Sequence, residues 1–165
     1  MNIVFGFGHP AQVHLFRNTI TKLLEKGHNI SICCNDREHV QDLLELYGFS
    51  FEIFGLNRPQ LSVKFLNLFR YGKFAYNFFK KNEVDIVICS AQPFFQYVSK
   101  LLDIPSLYFT DTEDAKLING LAFPFSNAVL TPSCFQASVP KGAHIPYAGY
   151  HELAYLHPNY FTPNP

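Results

Sequence analysis

The sequence predicts an α/β fold: a Rossmann-like three-layer sandwich built on a parallel sheet of six to seven strands. Two observations lead there. Short β-prone runs alternate with longer amphipathic stretches of helical period, joined by short connections. The runs themselves, such as Ile3-Val4-Phe5 and Ile86-Val87-Ile88, are apolar throughout, the pattern of strands covered on both faces.

Residues 3–5 form the first strand, followed by a turn holding Gly6 and Gly8, whose freedom permits close backbone approach by a ligand. Pro10 suits a helix start. A helix follows over residues 11–26, with Val13, Phe16, Ile20, Leu23 and Leu24 as its buried stripe and Gly27 as its stop. Residues 28–34 read as a second strand, and Asn35 or Asp36 as the cap of a helix reaching Tyr47, where Gly48 ends it. A short third strand spans residues 51–54 and a turn-rich loop residues 55–60. The helix from Leu61 to Lys81 carries two aromatic stripes. One holds Leu61, Phe65, Leu68, Phe69, Tyr76 and Phe79. The other holds Tyr71, Phe74 and Phe78, beside Lys64, Arg70, Lys73, Lys80 and Lys81. A sheet-facing helix needs one stripe. The second predicts contact with neighbouring loops, another subunit or a membrane surface. A fourth strand (85–89), a helix (93–102), a fifth strand (105–109), a short helix (114–121) capped by Asp114, a sixth strand (128–131) and a candidate seventh (144–147) complete the pattern. Right-handed crossovers give the expected order 3-2-1-4-5-6. Residues 1–156 therefore read as one domain, and 157–165, with Pro158, Pro163 and Pro165, as a linker or truncated edge.

Composition narrows the function. The formal net charge is zero, which gives no electrostatic case for nucleic acid. The N-terminus lacks a basic segment followed by a long apolar one, and no apolar run approaches the ~20 residues of a membrane span; a cytoplasmic location is expected. Cys33, Cys34, Cys89 and Cys134 form no metal-ligand spacing and read as buried reduced thiols.

Ligands of open α/β sheets bind where loops leave the C-terminal strand ends. Four loops meet that description. They carry Gly6, Gly8, His9 and His14; Ser90, Ala91, Gln92 and Pro93; Thr110 to Asp114; and Thr131, Pro132 and Ser133. His9 and His14 are acid–base candidates because imidazole titrates near neutrality. Capping is the alternative for His9, and a packed or surface helix position for His14. Their i, i+5 spacing does not share a helix face, which disfavours a common metal. The third glycine of the dinucleotide fingerprint is absent after Gly6 and Gly8. Asp111, Glu113 and Asp114 cluster after the fifth strand. Asp111, nearest the strand end, suits hydroxyl binding or proton transfer.

Gly8-His9-Pro10-Ala11-Gln12-Val13-His14-Leu15-Phe16, Phe109-Thr110-Asp111-Thr112-Glu113-Asp114-Ala115, Thr131-Pro132-Ser133-Cys134-Phe135 and the run from Gly149 through His151 to Pro158 resemble the DUF354 family, uncharacterised proteins related to GT-B glycosyltransferases. The resemblance implies the N-terminal, acceptor-side half of a GT-B fold, with the donor half in a second domain or a partner chain. It implies a role in cell-envelope or surface-polysaccharide synthesis, with a nucleotide sugar and a glycan or lipid-linked acceptor as partners, no cofactor and no metal. A lipid-linked acceptor would bring the chain to the inner face of the membrane. His9 matches a first-loop histidine of the MurG-like transferases, where it acts as base or phosphate contact. Asp111 and Glu113 would bind or deprotonate acceptor hydroxyls. Gly8, His14, Ser90, Gln92, Thr131 and Ser133 would bind substrate. The region from Asp111 to Ser133 also resembles UDP-N-acetylglucosamine 2-epimerases, but Ser90-Ala91-Gln92 stands where their acid after the fourth strand is expected. The alternatives are an epimerase-like half and a non-catalytic binding module.

Overall fold

The structure, a computed structural model, describes residues 1–36, 38–55 and 61–163, with the side chains of 38 and 61–68 also outside the description. Residues 56–60 of the loop expected over 55–60, and the side chains of the stripe positions Leu61, Phe65 and Leu68, therefore lie outside the description.

Seven strands form one parallel sheet in the order β3-β2-β1-β4-β5-β6-β7. They are β1 (Asn2–Phe7), β2 (Asn29–Asn35), β3 (Glu52–Phe54), β4 (Ile86–Cys89), β5 (Ser106–Phe109), β6 (Ala128–Pro132) and β7 (His144–Tyr147). The chain builds β1 to β3 outward on one side, then returns to β4 on the other side of β1. Ile3 is in register with Ile30 on one flank and with Ile86 on the other. The winding direction reverses between β1 and β4, and a crevice opens at their C-terminal ends.

Strand alternation divides the core in two. Val4, Cys33, Val87, Cys89, Tyr108 and Val129 point to one face, packed by α3 (Leu61–Lys81), α4 (Pro93–Leu101) and α5 (Lys116–Ala122). Ile3, Phe5, Phe7, Ile32, Cys34 and Ile88 point to the other, under α1 (Pro10–Glu25) and α2 (Glu38–Leu46). The short α6 (Leu153–Leu156) also rests on α1, where Asn18 donates to the Ala154 carbonyl at 2.8 Å.

Several expectations are corrected. On α3 both aromatic stripes contribute to the interior. Phe78 is buried, Tyr71 and Phe74 pack against the core, and Phe69 is 78% exposed. Tyr71 and Phe74 are half-buried, Tyr71 edge-on and Phe74 tilted against Phe54, and Phe74 stacks on Phe78. Of the first stripe, Phe79 is buried and Tyr76 packs against the core. Asp114 caps no helix: α5 starts at Lys116 behind Ala115, with no side-chain cap. Cys134 is exposed, whereas Cys33, Cys34 and Cys89 are buried. Near the C-terminal end, Tyr160 accepts a hydrogen bond from the Lys22 ammonium, which also sits over its ring. Among the described residues no helix is long and apolar enough to cross a membrane.

Candidate functional site

The crevice at the β1–β4 switch holds a cavity of about 640 Å³. Its lining comes from the β1, β4 and β5 loops, from aromatic residues of α3 and α4, and from the segment around α6.

The β1 loop is fixed by its own sequence. Pro10 opens α1, and His9 is the residue that caps it. The Ala11 N–H donates to His9 Nδ1 at 3.3 Å, and Gln12 Oε1 accepts from the Gly8 and His9 amides at 2.6 and 3.2 Å. This is a capping box with histidine and glutamine in the two roles. Gln12 Nε2 then reaches across to the Ser90 carbonyl at 2.9 Å, tying the β1 loop to the β4 loop. Asn35, at the end of β2, donates to the Gly8 carbonyl at 3.1 Å. Because His9 Nδ1 accepts a backbone N–H, the neutral ring carries its proton on Nε2 and offers a donor outward. The capping role and a contact to an anion are thus compatible, while a basic role would require giving up the cap.

Gly6 is required for packing, not for ligand approach. A methyl group there would overlap the Phe95 ring and the Gln92 carboxamide. Gly8 is looser, with Gln92 Nε2 3.0 Å from the same hypothetical methyl. Gly55, at φ +71°, lies under the Tyr71 ring, which forms part of the cavity wall. In the β4 loop, Ala91 is held at φ 58°, in the left-handed region.

Across the cavity, Asp111 Oδ2 lies 2.9 Å from His151 Nδ1, and Asp111 Oδ1 accepts from the Thr112 hydroxyl at 3.0 Å. The hydrogen bond from His151 is the main cause that holds the Asp111 carboxyl down at about 2, against an opposing push from burial. Asp111 is therefore ionised at neutral pH, a weak base and a good acceptor for a hydroxyl. The His151 ring stacks on Tyr147, and its Nε2 is buried with no hydrogen-bond partner among the described residues. Tyr108 closes the inner wall: its hydroxyl, pushed up by burial, donates to Asn119, which in turn donates to the Thr112 carbonyl.

Of the residues singled out from sequence, Gly8, His9, Ser90, Gln92 and Asp111 line the cavity. Four do not. His14 lies on α1 between Tyr47, whose hydroxyl is 3.2 Å from Nδ1, and the Tyr155 ring; burial and then Arg17 lower its pKa. That is the packed-histidine alternative. Glu113 Oε1 accepts the Gln136 amide at 2.6 Å and so ties the β5 loop to the segment after β6. Thr131 is fully buried against His144 at 2.8 Å, and Ser133 is an exposed residue whose amide donates to the Tyr147 carbonyl. Gln12, Asn35, Asn119 and His151 join the site without having been expected there. Gln12 had a signal, being third in a helix behind a polar cap. Among the described residues no group of three or more His, Cys, Asp or Glu could hold a metal ion.

Three solved structures share this architecture. A UDP-GlcNAc 2-epimerase from Neisseria meningitidis bound to UDP-GlcNAc matches with TM-score 0.74 at 13% identity, over 94% of this chain and 49% of that one. MurG from Acinetobacter baumannii matches with TM-score 0.72 at 16% identity, over 90% and 45%. MnaA from S. aureus, solved with UDP, matches with TM-score 0.73 at 11% identity, over 98% and 49%. The chain thus spans about half the length of each. At these identities the likeness establishes the fold, a Rossmann-like α/β unit corresponding to one half of a GT-B structure. No curated protein sequence matches. The model of the family described as "Protein of unknown function (DUF354)" covers residues 2–157, and the chain belongs to that family.

Proposed function

We propose that this chain is the acceptor-side half of a nucleotide-sugar glycosyltransferase, acting in the cytoplasm on cell-envelope or surface-polysaccharide precursors. The donor half would come from a further domain, reached through 157–165, or from a partner chain. One observation carries the reading: a cavity at the sheet's switch point combines aromatic walls, hydroxyl and carboxamide groups, and an ionised Asp111. Aromatic faces and hydrogen-bonding side chains are what a sugar ring needs. In the transfer, the acceptor oxygen bonds the donor's anomeric carbon as the bond to the nucleotide diphosphate breaks. The acceptor proton passes to a base. Asp111 accepts the acceptor hydroxyl's hydrogen bond and takes its proton late, when the oxygen carrying a second carbon has become strongly acidic. His9, with Nε2–H outward, donates to the anionic leaving group. Ser90 and Gln92 position the sugar; Glu113 holds the loop that presents Asp111. A lipid-linked acceptor would place the exposed Phe69, Arg70 and Lys73 of α3 near a membrane surface.

The test uses the longer protein, or this chain with its donor-binding partner, supplied with UDP-sugars and glycan acceptors. Acceptor-dependent release of UDP is expected, falling about 10²- to 10⁴-fold in Asp111→Asn. Isomerisation of a UDP-N-acetylhexosamine without acceptor would replace the transferase with an epimerase, a reading favoured by the similarity to the Neisseria enzyme. No turnover of any nucleotide sugar would leave a binding module.

A further inference from the structure

Helix α5 is turned against the pattern of an ordinary surface helix. Its buried residues are Asn119 and Ala122, while Leu117 and Leu121 are 77% and 48% exposed. Asn119 explains the orientation. Its carboxamide accepts from the Tyr108 hydroxyl at 3.3 Å and donates to the Thr112 carbonyl at 2.9 Å, so the polar residue is held inside. On a helix this short, fixing Asn119 inward sends the leucines outward. Helix α4, packed beside it, exposes a matching pair: Tyr97 and Leu101 are 55% and 63% exposed. Each pair stands at i, i+4 and shares a helix face. The Tyr97 ring meets Phe125, just past α5, edge to face at 5.3 Å, which joins the two pairs into one apolar strip.

The strip has a direction. Both helices follow strands of the parallel sheet and return on the same face, so both start at the C-terminal strand edge. Leu117 lies at that edge and Leu101 near the opposite one. Each end is bordered by exposed charges of both signs: Asp114 and Lys116 before Leu117, Lys100 and Asp103 around Leu101. A strip with a mixed, neutral border does not suit an anionic membrane, which recruits clustered cations. It suits its own image. A half-turn about an axis through its centre lays Leu117 against the partner's Leu101, with the helices antiparallel and their dipoles opposed. The same half-turn brings Lys116 toward the partner's Asp103 and Asp114 toward the partner's Lys100, opposite charges at both ends.

We propose that the α4–α5 strip is the interface of a two-fold symmetric homodimer. The inference stands apart from the reaction assigned to the cavity.

Sedimentation of the full chain tests it. At about 100 µM, far above the dissociation constants common for standard-sized interfaces, twice the 18.9 kDa chain mass is expected. Leu121→Asp should give a monomer with an unchanged thermal midpoint, because the side chain is already in solvent. Lys116→Asp should weaken pairing at least about tenfold, and adding Asp103→Lys should restore it, a rescue that only the antiparallel register predicts. Hydrogen exchange of the unmutated chain, compared between about 1 and about 100 µM, needs no variant to fold; the α4 and α5 amides should slow at the higher concentration. A monomer at about 100 µM would overturn the proposal. So would a dimer that survives Leu121→Asp, slowing confined to other elements, or mass gained only with anionic vesicles.

Discussion

The two walls of the cavity are built on different principles. The wall made by the β1 and β4 loops is neutral and immobilised from within: Gln12 makes three hydrogen bonds, Asn35 braces Gly8, and Phe95 fills the space beside Gly6. The facing wall, made by the β5 loop and the segment around α6, is charged and joined at Asp111 and His151. The first resembles a core that happens to face a crevice. The second is an electrostatic contact between distant segments, with a carboxylate still 40% exposed. Stability is therefore concentrated on one wall, and the ionised chemistry on the other.

The largest test of that contrast is Gly6→Ala. Its methyl must displace a ring packed in the core, and a loss of about 3 kcal/mol is expected in urea denaturation. Gly8→Ala, which meets only the end of the Gln92 side chain, should lose under ~1 kcal/mol; equal losses at the two positions would break the picture. Next comes Gln12→Ala, which strands the Gly8 and His9 amides and the Ser90 carbonyl. About 2 kcal/mol should be lost, with faster hydrogen exchange at the Gly8 amide. On the opposite wall the effect is smaller and depends on pH. The Asp111 carboxyl is depressed on folding, so its contribution is present above its ordinary value near 4 and disappears as pH falls through about 2. The unmutated chain should lose stability across that acid window, and Asp111→Asn should flatten this limb while costing under ~1 kcal/mol at neutral pH. An unchanged acid limb would mean the His151 contact does not form in solution. The smallest effect is a gain: Ala91→Gly relieves the left-handed backbone and should stabilise by a few tenths to ~1 kcal/mol.

The sheet was legible in the sequence because wholly apolar strands and short connections leave few topologies. The pairing order follows from that restriction, and six strands and a seventh candidate were found where the structure has them. The inward face of α3 was not legible as one stripe, since Phe78 and Phe79, one from each, are both buried and only the position of the sheet leaves Phe69 outside. Asp114 had the composition of a cap, but the helix begins two residues later, beyond its reach. At the site, residues immediately following a strand were found: His9, Ser90, Gln92 and Asp111 all line the cavity. His14, Thr131 and Ser133 show the limit of that rule, for a residue near a strand end is still free to turn into the core or out to solvent. His151 escaped as a site residue because its role exists only through contact with Asp111, far away in the chain.

The thiols have a practical consequence. Burial pushes Cys34 and Cys89 up to about 12 and raises Cys33 well above its ordinary value. At pH 7 the reactive thiolate of Cys34 and Cys89 is therefore scarcer by roughly a thousandfold than for an ordinary cysteine. Cys134, just past β6, is the exposed one. A maleimide fluorophore should consequently mark the native chain at one position without any engineered cysteine, giving a fixed reference point from which distance changes on ligand binding can be measured.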